Sequence, residues 1–461
     1  MRQHKISQCA GAVLVAGALL TAGGSVAAGG SVAGEAAASL PGPVPQYQLA
    51  SRHPFLTPPT TTQCEQDQGL ACYSPAQFQA AYDLAPLYKK GLTGKGETIV
   101  IVDPFGYPGI RSELGTFDNA FKLPAPPSLR VIAPAGPIPP YNPKQMAGFG
   151  LETSLDVEYA HSMAPGANIL LVETPDAEGL GTSGFPAIVK AENYVVSHHL
   201  GTVISQSFAT AEQTFPSKQS LLGLRGAYKA AAAAGVSVLA GAGDQGPSNF
   251  RSLFGYFLHR TTAWPASDPL VTAVGGTQLD LNNQGKRLQP DTSWNTTNLE
   301  GVPAAGGSGR SSVFTRPGYQ NGVAGQVGSA RGVPDISMSA SVDGAALVYL
   351  ASGVGFGKAA FFLIGGTSLA TPLFAGVVAI ADQAAGHGLG LLNPAIYTMY
   401  AHHEPGIVDV TAGTSTVTFS EGGSVHTVRG WDAMKGYDLA TGVGTVNAAL
   451  FVPELVAASR R

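Results

Sequence analysis

Residues 97 to 277 alternate short apolar runs with amphipathic stretches, and this alternation constrains the fold more than any other feature of the chain. Strands are expected at 97–102, 129–132, 168–173, 202–205, 236–240 and 271–277. Helical periodicity fills the intervals at 111–121, 151–163, 185–198 and 221–234, with a Pro-rich loop between residue 132 and about residue 148. Helix following strand in this way gives an α/β fold: a mostly parallel sheet, buried on both faces by helices. After residue 277 the chain becomes Gly- and Ser-rich and less regular, until an apolar run enters Gly365–Ser368 and opens a long helix. No fixed-period repeat interrupts the series, so residues 73–461 read as one large domain.

Composition narrows the function. Charged residues make up 12% of the 461, about half the usual share, while hydrophobic residues make up 44%, which is a folded rather than a disordered chain. With 26 Lys and Arg against 30 Asp and Glu, and no basic run, the chain has no means of holding a phosphate backbone, so nucleic acid is excluded as a partner.

At the N-terminus, Arg2, His4 and Lys5 precede an uncharged stretch from Ala10 to Ala22 and then small residues around Val26 to Ala28. This is the pattern of an export signal over residues 1–28. The competing reading is a membrane anchor, but an apolar core of about 13 residues falls short of the roughly 20 that span a bilayer. Cleavage after Ala28 and after Ala38 both satisfy the small-residue rule. No later segment reads as long and apolar enough to span, so a secreted protein without stable membrane association is expected. Cys9 leaves with the signal, and the remaining pair, Cys64 and Cys72, is expected to form one disulfide in an oxidising compartment. Residues 29–72, with six prolines between Pro41 and Pro59, read as an extended linker or a short pro-segment.

The segment from Phe361 to Pro372, Phe-Phe-Leu-Ile-Gly-Gly-Thr-Ser-Leu-Ala-Thr-Pro, runs from a buried strand through two glycines into a helix. Ser368 then sits at the positive end of that helix, where a developing oxyanion is favoured. The plainer alternative is a serine that caps the helix. The Gly-Thr-Ser-x-x-x-Pro string is the nucleophile motif of both subtilisins and sedolisins and does not separate them. A subtilisin needs a histidine base in a His-Gly-Thr setting, and the only His-Gly, at His387, follows the nucleophile. Asp103, ending the first strand, has no such histidine to orient.

The helix around residues 150–163 offers a different base. Glu152 and Asp156 are four apart and project from one face, whereas His161 lies about 180° from Glu152. Two acids so spaced are ordinarily a solvated face, but here they precede Ala164-Pro165, and the combination resembles the catalytic helix of the sedolisins, the serine-carboxyl peptidase family. Other segments fall in that family's order: Val203-Ile-Ser-Gln-Ser207, Gly241-Ala-Gly-Asp244-Gln-Gly246, Trp264-Pro-Ala-Ser267, Val274-Gly-Gly-Thr277, Pro317-Gly-Tyr-Gln320 and Arg331-Gly-Val-Pro-Asp335. The resemblance spans about Tyr73 to Asn447.

It implies a subtilisin-like fold and an acid-acting serine-type endopeptidase on polypeptide substrates, with Ser368 as nucleophile and Glu152 as general base. Asp156 would orient Glu152, Asp103 would support the pair, and Asp244 would donate to the oxyanion. It also implies one structural Ca2+ held by Asp409, Val410, Gly436 and Asp438, with Met434 as a further carbonyl donor and Gly430-Trp431-Asp432 as an alternative alignment of that part. Without the resemblance, that region reads as an Asx turn and a Gly-rich loop. A monomer is expected. Three features depart from the family pattern: the short stretch ahead of residue 73 in place of a large pro-domain, Phe208 where a tryptophan is common, and Ala242 where a serine is common. Two rivals stand beside this reading: an inactive secreted binding protein on the same fold, and a subtilisin-type peptidase with an unrecognised histidine.

Overall fold

Thr98-Ile-Val-Ile-Val102 is a run of β-branched residues without polar alternation, and with Asp103 and Pro104 it forms the central strand β1 (Thr98–Pro104). The computed structural model describes residues 48–50, 53–252 and 255–460; the expected export signal and both its cut sites lie outside them. On either side of β1 lie β3 (Asn168–Thr174) and β4 (Val203–Gln206), both parallel to it. β2 (Leu129–Ile132) continues beyond β3, while β5 (Ser237–Gly241) and β6 (Thr272–Gln278) continue beyond β4. β6 also pairs antiparallel with β7 (Thr292–Ser293) and parallel with β8 (Ile336–Ser339). The result is an eight-stranded, mostly parallel α/β sheet. Helices α1 (Ile110–Phe121), α2 (Pro143–Met163), α3 (Phe185–Ser197), α4 (Gly226–Ala234) and α5 (Thr367–Ala385) accompany it, with one large buried cluster around α2 and α5 and a second around α3 and α4.

Two helices differ from their expected form. α2 begins at Pro143, well before residue 151, because Asn142 caps it and Pro143 occupies the first turn, where no N–H is needed. The stretch expected as one helix over 221–234 is two, Lys218–Leu222 and Gly226–Ala234, separated around Gly223.

By length and composition α5 would cross a membrane, contrary to the expectation that no later segment does so. It lies inside the fold instead: 83% of its apolar window is buried. α2 packs directly across it, and a Cβ on Gly376 would meet the Met163 Cβ at 2.4 Å, so glycine is required for this approach.

The stretch read as linker joins the fold from Gln48 onward. Gln48–Leu49 pairs antiparallel with β10 (Ala360–Gly365), which also pairs with β9 (Ala345–Leu350), and β9 takes Cys72–Tyr73 as a parallel neighbour. Helix Thr61–Gln68 is fastened to Cys72 by the Cys64–Cys72 disulfide, and both cysteines are buried. Proline content marked an extended segment; edge pairing, which needs backbone rather than side-chain pattern, makes part of it a strand.

Candidate active site

β10 ends in Gly365, and Gly366 turns the chain with φ 105° and ψ 163°, a conformation open to glycine, so that α5 starts at Thr367. Ser368 is thereby placed in the first turn of α5, fully buried, with its hydroxyl 3.4 Å from the Ser207 carbonyl oxygen. It does not serve as the helix cap: the cap position is Gly366. Across from it, α2 presents Glu152 and Asp156 on one face, and β1 delivers Asp103 at its C-terminal end. The turn after β5 supplies Asp244. All four carboxyl groups are buried, with side chains at most 4% exposed.

Their hydrogen bonding is sparse. Both oxygens of Glu152 and both of Asp103 lack a well-formed hydrogen bond, as do Asp156 Oδ2 and Asp244 Oδ2. Asp156 Oδ1 accepts from the Ser207 hydroxyl at 2.8 Å, and Asp244 Oδ1 accepts from the Thr367 N–H at 2.7 Å and the Thr367 hydroxyl at 2.8 Å. Burial disfavours the ionised form of each. It pushes Glu152 well above the ordinary carboxylate range, with the neighbouring Asp156 carboxylate adding to the rise and the nearby Ser368 hydroxyl opposing it. Asp156 is likewise raised by burial and by Asp103, against the Ser207 hydrogen bond. Burial lifts Asp103 to about 7, with Thr153 opposing and Glu173 adding. Asp244 also rises to about 7 through burial, opposed chiefly by the two Thr367 donors and, last, by the Gln48 side chain. Burial thus raises all four carboxyls of the cluster above the ordinary carboxylate range.

The structure thus brings together Ser368, Glu152, Asp156, Asp103 and Asp244, the candidates that the sequence pointed to. The other titratable residues toward the C-terminal end of α2 are elsewhere: Glu158 accepts from the Tyr349 N–H at 3.1 Å, and His161 Nε2 bonds the Pro124 carbonyl oxygen at 2.8 Å. Three partners were missed from sequence. Ser207 lies in the quoted Val203–Ser207 segment, so its position was visible but its role was not; Thr367 was seen only as part of the nucleophile string. Gln48 carried no signal, since only the pairing of its strand against Gly365 brings it near Asp244.

Of the expected metal residues, Asp409, Gly436 and Asp438 bond within one turn region, while Val410 packs with Ala433 and Ala440. The Gly436 N–H donates to Asp409 Oδ2 at 2.9 Å and the Met434 N–H to Asp438 Oδ2 at 2.9 Å. Asp438 Oδ1 accepts from the Ala440 and Thr441 N–H groups at 2.9 and 2.8 Å, which is the Asx-turn arrangement. No cluster of three or more His, Cys, Asp or Glu side chains suited to a metal occurs among the described residues. Two carboxylates, Asp409 and Asp438, nonetheless bond the same 434–438 turn, and carboxylate oxygens are donors that suit a hard cation.

A buried serine at a helix N-terminus, facing paired carboxyls on a parallel α/β scaffold, is the arrangement of a serine-type hydrolase site. The subtilase family profile matches residues 144–402. Among relatives, kumamolisin of Bacillus sp. (strain MN-32) is 28% identical over 389 residues, covering 81% of this chain and 62% of its own length. Sedolisin of Pseudomonas sp. (strain 101) is 29% identical over 385 residues, covering 82% and 60%. Human tripeptidyl-peptidase 1 is 30% identical over 311 residues, covering 65% and 50%. The solved structure of Pseudomonas sedolisin, a serine-carboxyl proteinase in complex with pseudo-iodotyrostatin, superposes with a TM-score of 0.69 at 26% identity, covering 85% of this chain and 98% of that one. The chain belongs to the subtilase family and, within it, to the sedolisin group, with the subtilisin-like fold. It spans about three fifths of the length of the first two relatives.

Proposed function

We propose that the protein is a secreted serine-carboxyl endopeptidase that hydrolyses peptide bonds at acidic pH. One observation carries this reading: Ser368 shares a buried site with Glu152, Asp156, Asp103 and Asp244, while the one histidine of α2, His161, is turned away onto Pro124. In this reading the Ser368 hydroxyl attacks the scissile carbonyl and its proton passes to Glu152. The Oγ–C bond forms as the carbonyl π pair moves onto oxygen. Collapse of the intermediate breaks the C–N bond, and Glu152 returns the proton to the leaving amine. Water then attacks the acyl-enzyme, gives one proton to Glu152, and releases the acid as Ser368 regains its hydrogen. Asp156, fixed by Ser207, orients Glu152, and Asp103 extends the proton-sharing chain. Protonated at Oδ2, Asp244 donates to the oxyanion, a role open only to its neutral form. The Thr367 donors hold its other oxygen in place.

Export is supported by the N-terminal pattern and by the Cys64–Cys72 disulfide. The oxygen donors of Asp409, Val410, Gly436 and Asp438 would hold one Ca2+, which supplies stability to the folded state rather than chemistry at Ser368. Digesting a denatured protein at pH 4 and at pH 8, with Ser368→Ala as control, tests the reading. Cleavage at pH 4 by the wild type alone is expected. Cleavage that persists in Ser368→Ala, or that is confined to pH 8, overturns it. For the metal, a melting curve with added calcium and with chelator is expected to show a lower midpoint on chelation; identical midpoints for the wild type and Asp409→Ala in both conditions remove the site.

A further inference from the structure

Strand β4 alternates between the two buried layers of the fold: Val203 belongs to the cluster around α2 and α5, and Ile204 to the cluster around α3 and α4. By that alternation Gln206 points into the apolar layer of α3 and α4, and Ser207 points back toward the catalytic acids. The ladder ends at this point. β4 is in register with β1 only to Ser205 and with β5 only to Gln206, so Ser207 follows the last paired residue. Yet the site depends on Ser207: its hydroxyl donates to Asp156 Oδ1 at 2.8 Å and lies 3.3 Å from the Ser368 carbonyl oxygen, and its own carbonyl oxygen is 3.4 Å from the Ser368 hydroxyl.

Both flanks of Ser207 are anchored to one face of α3. On one flank the Gln206 Nε2 donates to Glu192 Oε1, and the Tyr228 hydroxyl of α4 donates to Gln206 Oε1 at 3.3 Å. On the other flank the Phe208 ring packs on Phe185 at 6.2 Å. Phe185 and Glu192 are about two turns apart on α3 and so lie on the same face. Glu192, Gln206 and Tyr228 are fully buried. Arg225, at the start of α4, is committed to Asp268 at 2.6 and 2.8 Å, and burial raises Glu192 to about 8 against the Gln206 bond, so in acid Glu192 is a neutral carboxyl. Leucines would be easier to bury in this layer; a hydrogen-bonded triad instead fixes direction, which apolar contacts do not.

We infer that Glu192 is a positioning residue of the peptidase site: by holding the Gln206 amide it clamps the end of β4 and sets Ser207 where it orients Asp156 and Ser368. The inference rests on the catalytic reading above, and Glu192 acts through Gln206 from the opposite face of the sheet.

The test measures kcat and KM from pH 3 to pH 7, on a peptide that the wild type cleaves, for the wild type, Glu192→Gln, the triple variant Glu192→Leu/Gln206→Leu/Tyr228→Phe, and Ser207→Ala with and without that triple. The triple variant removes all three polar partners together, so no buried donor is left stranded and the layer stays packed. It should lower kcat by about tenfold or more with KM within about twofold. It should also move the acidic limb of the pH profile up by about one unit, because a loosened Ser207 gives up the bond that favours ionised Asp156. Glu192→Gln keeps a carbonyl acceptor where the neutral carboxyl has one and should stay within about threefold of the wild type. In Ser207→Ala the triple should add less than about twofold, since its route is already cut. A folded triple variant with the wild-type kcat and acidic limb, a Glu192→Gln protein as impaired as the triple, or a loss undiminished in Ser207→Ala overturns the positioning role while leaving the peptidase reading intact. Glu192→Leu alone, judged by the same limits, replaces the triple if melting curves show that the triple is unfolded. No cutting by the wild type at any pH overturns both readings.

Discussion

Glu152 and Asp335 are both fully buried carboxylates in one core, and the fold treats them in opposite ways. Asp335 accepts from Arg331 Nη1 at 2.7 Å and Nη2 at 2.5 Å, from the Ala273 N–H at 2.8 Å and from the Tyr397 hydroxyl at 3.0 Å. Glu152 has no cation and no well-formed hydrogen bond; its neighbours are other acids and one serine hydroxyl. A charge so fully partnered serves structure, because its desolvation is offset on every lone pair. A carboxyl left without partners is costly to ionise, and a group poised between its two forms is what proton transfer requires.

The largest effect should come from breaking the unpartnered side. Glu152→Ala removes the proposed base, and turnover should fall by about 10⁴-fold or more, while the protein keeps its fold because little hydrogen bonding is lost. Single-turnover kinetics on a correctly folded variant checks this; retained activity would take the base role away from Glu152.

Breaking the partnered side should reverse the pattern. Asp335→Ala leaves the Arg331 guanidinium buried without its counter-charge, costing about 3–5 kcal/mol of stability. Denaturant unfolding of the Ser368→Ala background, which prevents self-digestion, measures it. A loss below about 1 kcal/mol, the scale of an exposed pair, would mean that the ion pair is not what secures this region.

This contrast also divides what the sequence made legible. The strand–helix series was readable because parallel strands are continuous apolar runs, and the expected limits of 129–132 match the observed strand. Ser368 was readable as a candidate because a two-glycine turn sets it at a helix start, whereas Glu152, Asp156 and Asp244 stood out only through the resemblance to the sedolisin motif order. Arg331 and Asp335 were visible only as a motif: nothing local says that Tyr397 and the Ala273 N–H would meet them. The N-terminal strand at Gln48 was hidden for the same reason, since its partner, Gly365, is more than three hundred residues away and edge pairing leaves little side-chain pattern. The early start of α2 was within reach, as Asn142-Pro143 is a start signal.

Stability should depend on pH in the direction set by the buried acids of the site that lack a cationic partner. Asp103 and Asp244 are raised from 3.8 to about 7 in the folded protein, so between those values the native state holds protons that the unfolded chain releases. Their contribution is fully present below the ordinary carboxylate range and is lost as pH rises through about 7. Melting midpoints of Ser368→Ala should therefore fall between pH 4 and pH 8, and adding Asp103→Asn should make the decline shallower. A midpoint that rises over this range would contradict the assignment.

The finest test separates two buried acids of the site from each other. In the proposed mechanism Glu152 gives up its proton to work, whereas Asp244 keeps one, and burial, opposed by the two Thr367 donors, raises Asp244 to about 7. Losing that proton should contribute to the alkaline limb of activity. An asparagine at this position keeps an N–H donor at every pH, although it is a weaker donor than a carboxylic acid and forms a mismatched contact with the Thr367 N–H if its amide is turned the wrong way. Asp244→Asn should then be slower at its optimum but lose proportionately less activity as pH rises. A pH–rate profile of the folded variant decides the matter. A flattened alkaline limb supports the donor role, an inactive protein at every pH makes Asp244 an ionised participant instead, and an unchanged limb assigns the titration to the Glu152 and Asp156 pair, whose protons are shared.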